Sequence, residues 1–201
     1  MAGKIKKTRP ELLKQRRDLS RFERFLPTLV LKKQQVQMEI LKVRTEVKRL
    51  RSEIDACLAE INPWVALFRE SVPGPITDLA AVKKVITAER NVAGAVLPVL
   101  KHIEYEVKPY SLYATPPWVD AGIRVIKQLV ELRETIRVTL EQERLLQMEL
   151  KKVTQRVNLF EKVMIPSASE NIRVIRIQLA EEETAAVGRA KIAKAKSVAE
   201  A

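Results

Sequence analysis

Stepping from Leu19 in alternating strides of three and four meets Leu19, Phe22, Leu26, Leu29, Lys33, Val36, Ile40, Val43, Val47, Leu50, Ile54, Cys57 and Ile61. Twelve of these thirteen positions are apolar, and Lys33 is the one break. A 3.5-residue repeat held this long is a coiled-coil seam. It predicts a helix over residues 19–61 wound left-handedly against a partner. At about 1.5 Å per residue the helix would be roughly 60 Å long, and its stripe needs a companion.

A second pattern lies near the other end. It reads Val125, Leu129, Leu132, Ile136 and Leu140, then Leu146, Leu150, Val153, Val157, Phe160 and Met164. Beyond Pro166 it continues as Ala168, Ile172, Ile175 and Leu179. The phase slips between Ile136 and Leu140 and again through Pro166, which reads as local change of winding. A proline inside a helix removes a hydrogen bond and crowds the preceding turn, at about 3 kcal/mol. Because the pattern resumes past Pro166, a bend is predicted there over a break between two helices. Pro27 should bend the first helix in the same way.

Residues 62–118 are built differently, holding seven of the ten prolines and six of the nine aromatics. "NPWVALF" (62–68) can open a short helix with Asn62 as cap and Pro63 next, and "SVPGP" (71–75) ends it. The run "VKKVITAERNVAGAVLPVLKHIEYEV" (82–107) reads as a hairpin. Ile103, Tyr105 and Val107 alternate with Glu104 and Glu106, and Asn91 and Gly94 flank a turn. Pro98 cannot donate to a ladder, so its strand lies at an edge or is irregular. Thr115 followed by Pro116 restarts a helix.

The predicted fold is mainly α: a long antiparallel two-helix coiled coil formed by the N- and C-terminal helices, with a small middle region containing a β-hairpin. The parts are residues 1–61, 62–118 and 119–201. A parallel homodimer is the other assembly the seams allow. The middle segment, long enough to turn the chain around, favours pairing within one chain.

Composition supports long helices. The 201 residues are 46% apolar with 4% aromatics and five glycines, and the net charge is +12. Residues 1–60 carry sixteen Lys and Arg against eight Asp and Glu, so the excess is concentrated there. An arm bearing Lys4, Lys6, Lys7 and Arg9 suits an acidic partner, and Arg189, Lys191, Lys194 and Lys196 make the other terminus basic too. With one cysteine, Cys57, no internal disulfide can form. No apolar run is long enough to span a membrane, and the N-terminus lacks a signal-peptide core. A cytoplasmic protein is expected.

Catalytic chemistry is hard to find. One histidine, His102, and one cysteine far apart make a poor metal site, so no metal and no cofactor are expected. Gly74 and Gly94 stand alone and form no phosphate loop. Glu181, Glu182 and Glu183 point in different directions on a helix and read as a charged face. Nucleic acid fits poorly, since the basic arm carries no aromatic residue and the helix faces mix both signs.

Four stretches resemble a known family, the D subunits of V-type (vacuolar/archaeal-type) ATPases. They are "TRPELLKQRRDL" (8–19), "LPTLVLKKQQVQMEI" (26–40), "NVAGAVLPVL" (91–100) and "RVNLFEKVMIP" (156–166). The last resembles an Arg-Val-Asn-x-x-Glu-x-x-x-x-Pro motif, and the third an Asn-x-x-Gly-x-x-x-Pro hairpin segment. "YSLYATPPW" (110–118) is not matched. The resemblance implies a non-catalytic central rotor shaft, peripheral to the membrane. Its paired ends would enter a hexamer of A and B subunits, and its middle region would meet lower-stalk subunits and the connector above the membrane ring. Partner contacts are then expected at Lys4, Lys6, Lys7, Arg9, Lys191 and Lys194 at the basic tip, and at Arg90, Asn91 and Gly94 on the hairpin. Pro27, Asn158, Glu161 and Pro166 would shape the helices. Two rivals from other classes are the stalk protein of a type III or flagellar export ATPase, and a homodimeric coiled-coil scaffold binding nucleic acid.

Overall fold

The computed structural model describes residues 6–63, 66, 81–106 and 115–199. A long helix α1 (Arg9–Ile61) is followed by strands β1 (Ala81–Val92) and β2 (Ala95–Glu106). Helix α2 (Val119–Leu159) then passes through one π-helical turn (Phe160–Met164) into α3 (Ile165–Ala199). The chain is therefore mainly α, with a long helix toward each end and an antiparallel hairpin between them in sequence. Two compact units form, one from the residues up to Lys33 together with those from Lys152 onward, the other from Gln34–Lys151.

α1 opens where Thr8 accepts from the Leu12 amide at 3.0 Å. "TRPE" also has the spacing of a capping box. None of the thirteen seam positions of α1 is exposed, and seven of them are buried: Val36, Ile40, Val43, Val47, Leu50, Cys57 and Ile61. Pro27 sits inside α1, which stays helical through it. Asn62 adds a last turn to α1, its amide donating to Leu58 at 3.0 Å. The short helix expected over 62–68 falls mostly outside the described residues, and the break at 71–75 and Val107 fall wholly outside them.

In the unit built from the chain ends, α1 pairs antiparallel with the C-terminal helix. Lys7 donates to Gln178 at 3.0 Å, Asn171 to Gln15 at 3.3 Å, and the rings of Phe22 and Phe160 meet edge to face at 5.4 Å. From Lys7 through Gln15 to Phe22 the partners run from Gln178 through Asn171 to Phe160, which is the antiparallel sense. Val153, Val157, Ala168, Ile172 and Ile175 are the buried residues of the opposing stripe.

The second unit adds a layer. Val36, Ile40 and Val43 from α1, Leu146 from α2, and Ala95 and Leu97 from β2 form one buried cluster. The two strands pair antiparallel. A two-stranded ribbon alone is marginal in water, and docking on helices stabilises this one. Gln142 donates to the Pro98 carbonyl at 2.5 Å and the Tyr105 hydroxyl to the Lys127 carbonyl at 3.1 Å. Lys127 also lies 5.4 Å over the Tyr105 ring.

Register shifts leave Lys83 unpaired between Val82 and Lys84, and Lys101 between Ile86 and Thr87's partners. Both bulges carry a lysine, a charge that blunts a strand edge. Val92 pairs with Ala95, and the two residues between them, Ala93 and Gly94, have φ of 51° and 82°. Two positive φ values make the mirror-image turn whose twist matches a hairpin.

One sequence expectation is corrected and two are made more specific. The seam does not slip after Ile136, and Leu140 is 40% exposed. Strides of four and three run unbroken through Leu132, Ile136, Thr139, Glu143, Leu146, Leu150, Val153, Val157 and Phe160, all buried or half-buried. Thr139 and Glu143 hold seam places because each polar group has a partner. Thr139 donates to the Thr135 carbonyl at 2.7 Å, and Glu143 accepts from Arg44 of α1 at 2.7 Å. Second, the first turn is specified: α2 begins at Val119, whose amide donates to the Pro116 carbonyl at 3.1 Å. Third, the phase change near Pro166 is a π turn, in which the Ile165 amide bonds the Phe160 carbonyl. A π turn inserts one residue into a helix. The buried stripe after Phe160 is displaced by one residue, to Ala168, Ile172 and Ile175.

Candidate partner interface

The expected contact residues of the chain ends fall at different levels along α3. Lys7 reaches Gln178, and Arg9 forms a 2.8 Å ion pair with Glu183. These bases therefore lie beside the acidic run of Glu181, Glu182 and Glu183. Lys191 and Lys194 are exposed and pair with no carboxylate among the described residues. They sit eight and eleven residues past Glu183, about 12 and 16 Å further along the helix. Lys6 is exposed, and Lys4 lies outside the described residues. The basic groups do not converge on one point.

Beyond Glu183, α3 has little cover. Residues 184–197 are exposed except for half-buried Gly188, and Val187 and Ile192 present apolar side chains to solvent. α1 starts at Arg9, opposite Glu183, so its helix does not extend along this end. An isolated helix of this length is marginal in water.

On the hairpin, Arg90, Asn91 and Gly94 share exposure. Asn91 accepts from the Gly94 amide at 3.0 Å, which closes the turn. Val92 and Ala93 point the other way and pack on the Val36–Leu146 cluster. Arg90 borders an open groove of about 500 Å³ with Glu39, Lys42, Glu46 and Gln142. Asn158 and Glu161 are exposed and make no side-chain hydrogen bond among the described residues, so packing does not explain them. Pro27 and Pro166 are placed within helices as expected.

Reactive chemistry is sparse. Cys57 is buried on the seam; burial pushes its thiol up, and the Glu60 carboxylate adds to it. His102 is exposed on β2, paired with Ile86. Among the described residues no group of His, Cys, Asp and Glu is placed to hold a metal ion, and no helix is long and apolar enough to cross a membrane. Sequence reasoning missed the ion pair of Arg44 with Glu143. It also missed a face of four arginines on α1, Arg16, Arg17, Arg21 and Arg24, whose signal was the spacing of the last three by four and three.

Comparison with known proteins agrees with this architecture. The family model for the ATP synthase D subunit matches residues 11–195. A V-type ATP synthase D subunit of Borreliella burgdorferi is 42% identical over 192 residues, covering 96% of this chain and 94% of the relative. The protein of the same name from Chlamydia abortus is 33% identical over 199 residues, covering 98% and 95%. With terminal helices paired antiparallel, a docked hairpin between them in sequence, and these matches along nearly its whole length, the chain belongs to the ATP synthase D-subunit family.

Proposed function

We propose that this chain is the central stalk of a V-type ATP synthase complex. In this role it is a non-catalytic shaft, carrying torque between a hexamer of A and B subunits and the membrane ring. The observation that carries the reading is the basic end of α3, continuing past the start of α1 with its apolar side chains uncovered. A helical end that the described residues leave bare is suited to being received by another body, and a surrounding hexamer supplies one. Lys191 and Lys194 are the contacts assigned there, with Lys6, Lys7 and Arg9 lower on the same end; Lys4 is assigned with them from the sequence. Arg90, Asn91 and Gly94 are assigned to the lower-stalk side, with the connector above the ring.

Pairing within each unit suits the role. Two helices bonded side by side resist twisting better than one. The Arg44–Glu143 ion pair crosses from α1 to α2 at 2.7 Å and suits a fixed register between them. The test is purification from its own cells through a tag carried in the middle region, followed by native mass measurement. Three A and three B subunits for each copy of this chain are expected. A homodimer without nucleotide-binding subunits would overturn the reading.

A further inference from the structure

α1 carries a second stripe, unrelated to its buried seam. Arg16, Arg17, Arg21 and Arg24 are all exposed. At 3.6 residues per turn they fall within an arc of about 140°, facing away from Leu19, Phe22 and Leu26. Leu13 and Phe25 lie on the same side, 54% and 50% exposed, and the group frames an open hollow of about 510 Å³.

None of the four guanidiniums has an ion pair or hydrogen bond among the described residues. Other arginines, such as Arg51 and Arg133, also lack a partner among the described residues, but these four share one helix face within nine residues. Arg49, Arg144 and Arg173 each fork onto the glutamate three residues before, and Arg9 and Arg44 reach across to the other helix. The acids within this stretch, Asp18 and Glu23, flank the arc on either side. Like charges three and four residues apart, such as Arg17 with Arg21 and Arg21 with Arg24, weaken a helix. The cluster is therefore a local cost to α1 that an anionic partner would reverse.

We propose that this face docks a carboxylate-rich, amphipathic segment of a neighbouring protein subunit. The guanidinium fork takes carboxylates two bonds at a time, and four forks on one face ask for several of them in a row. The ends of the stripe ask for apolar atoms as well. Leu13 and Phe25 stand about 18 Å apart along the helix, and burying both needs a partner with side chains of both kinds. Single-stranded nucleic acid uses rings set among the basic groups so that successive bases stack, and here one ring stands at one end. The inference rests on the stalk reading only for placing the partner in the same complex.

The test places a benzoylphenylalanine photocrosslinker at Ser20, in the centre of the face, within the complex purified from cells. A crosslinked peptide is expected from another protein subunit, with Asp and Glu outnumbering Lys and Arg and with apolar residues alongside. R16Q/R17Q/R21Q/R24Q should lower the crosslink yield about tenfold, with helix content unchanged by circular dichroism. The four-lysine variant keeps the charge but loses the fork, and it should fall between the two. If the glutamine variant does not fold, the lysine variant decides. A crosslink to nucleic acid or lipid, a basic or uncharged peptide, no crosslink, or a yield indifferent to both variants would overturn the proposal. Subunit counts from the same preparation judge the stalk reading separately, since an acidic partner outside any A and B hexamer would sink that reading alone.

Discussion

The amide of Ile165 donates to the carbonyl of Phe160, five residues back, and the next residue is Pro166. A proline in a regular helix clashes with the carbonyl four residues earlier. The widened turn sits directly before Pro166, where that crowding would fall. It also absorbs the single extra residue that separates the stripe ending at Phe160 from the one resuming at Ala168. Removing Val163 together with Pro166→Ala should therefore leave a regular helix with Ala168, Ile172 and Ile175 still buried, and melting within a few degrees of wild type. Removing Gln155 instead turns everything after it by about 100°. With each displaced aliphatic side chain forfeiting about 1.5–3 kcal/mol, that variant should melt far lower. Thermal unfolding followed by circular dichroism separates the two.

Leu146 is 0% exposed and joins α2 to both α1 and β2. Leu146→Ala should cost about 2–5 kcal/mol in urea unfolding. Leu140→Ala, at a place the apolar pattern alone assigns to the seam, should stay within about 0.5 kcal/mol of wild type. Equal effects would mean that the seam follows the leucines after all, and not Thr139 and Glu143.

Ala93 holds a φ of 51° while packing on the helix cluster. A left-handed alanine is strained by about 1–2 kcal/mol, and asparagine tolerates the conformation better. Ala93→Asn should be neutral or stabilising. Ala93→Val should destabilise by about 2 kcal/mol or more, since a branched side chain is worst there. Equilibrium unfolding of both variants gives the comparison.

Glu46, Glu141 and Glu170 are held below the ordinary carboxylate range by hydrogen bonds from Arg49, Arg144 and Arg173. A depressed native pKa contributes stability that is complete above the unfolded value of about 4.3 and is lost as pH falls through the native values. The melting temperature should therefore drop on acidification below that point. The triple variant E46Q/E141Q/E170Q should show a smaller drop over the same interval, with little difference from wild type near neutrality, where exposed pairs count for little. An identical acid response in both proteins would remove these pairs from the account.

Much of the fold is legible in the chain because its seams are long. In α1 the thirteen-position seam needed no structure to find, since apolar side chains filled nearly every place. In α2 the same repeat was hidden where Thr139 and Glu143 occupy it, because a search for apolar residues cannot see a polar group satisfied by its own helix, as Thr139 is, or across the pair, as Glu143 is. The hairpin showed through its alternation and through Asn91 and Gly94, which do close the turn. What the sequence could not convey is which bases find acids. Lys7 and Arg9 were pooled with Lys191 and Lys194 by composition, whereas helix register sets Arg9 against Glu183 and leaves the others further along. The arginine face escaped notice for the same reason: net charge does not record direction.

The hydrogen bond between Lys7 and Gln178 also sets a waiting time. Residues 171 apart must meet, and a ribosome adding about 5–20 residues per second needs roughly ten to thirty seconds to deliver the second after the first. Through that interval the stripe of α1 has left the tunnel with no partner from its own chain. The β1–β2 ribbon pairs neighbours in sequence and closes in microseconds once made, but it covers the stripe only near Val36, Ile40 and Val43. Another nascent copy, emerging from the same message, offers the same stripe sooner than Gln178 does. Translation speed and chaperone occupancy therefore govern how many chains reach the intramolecular pairing, and a slowed ribosome should raise the share lost to self-association.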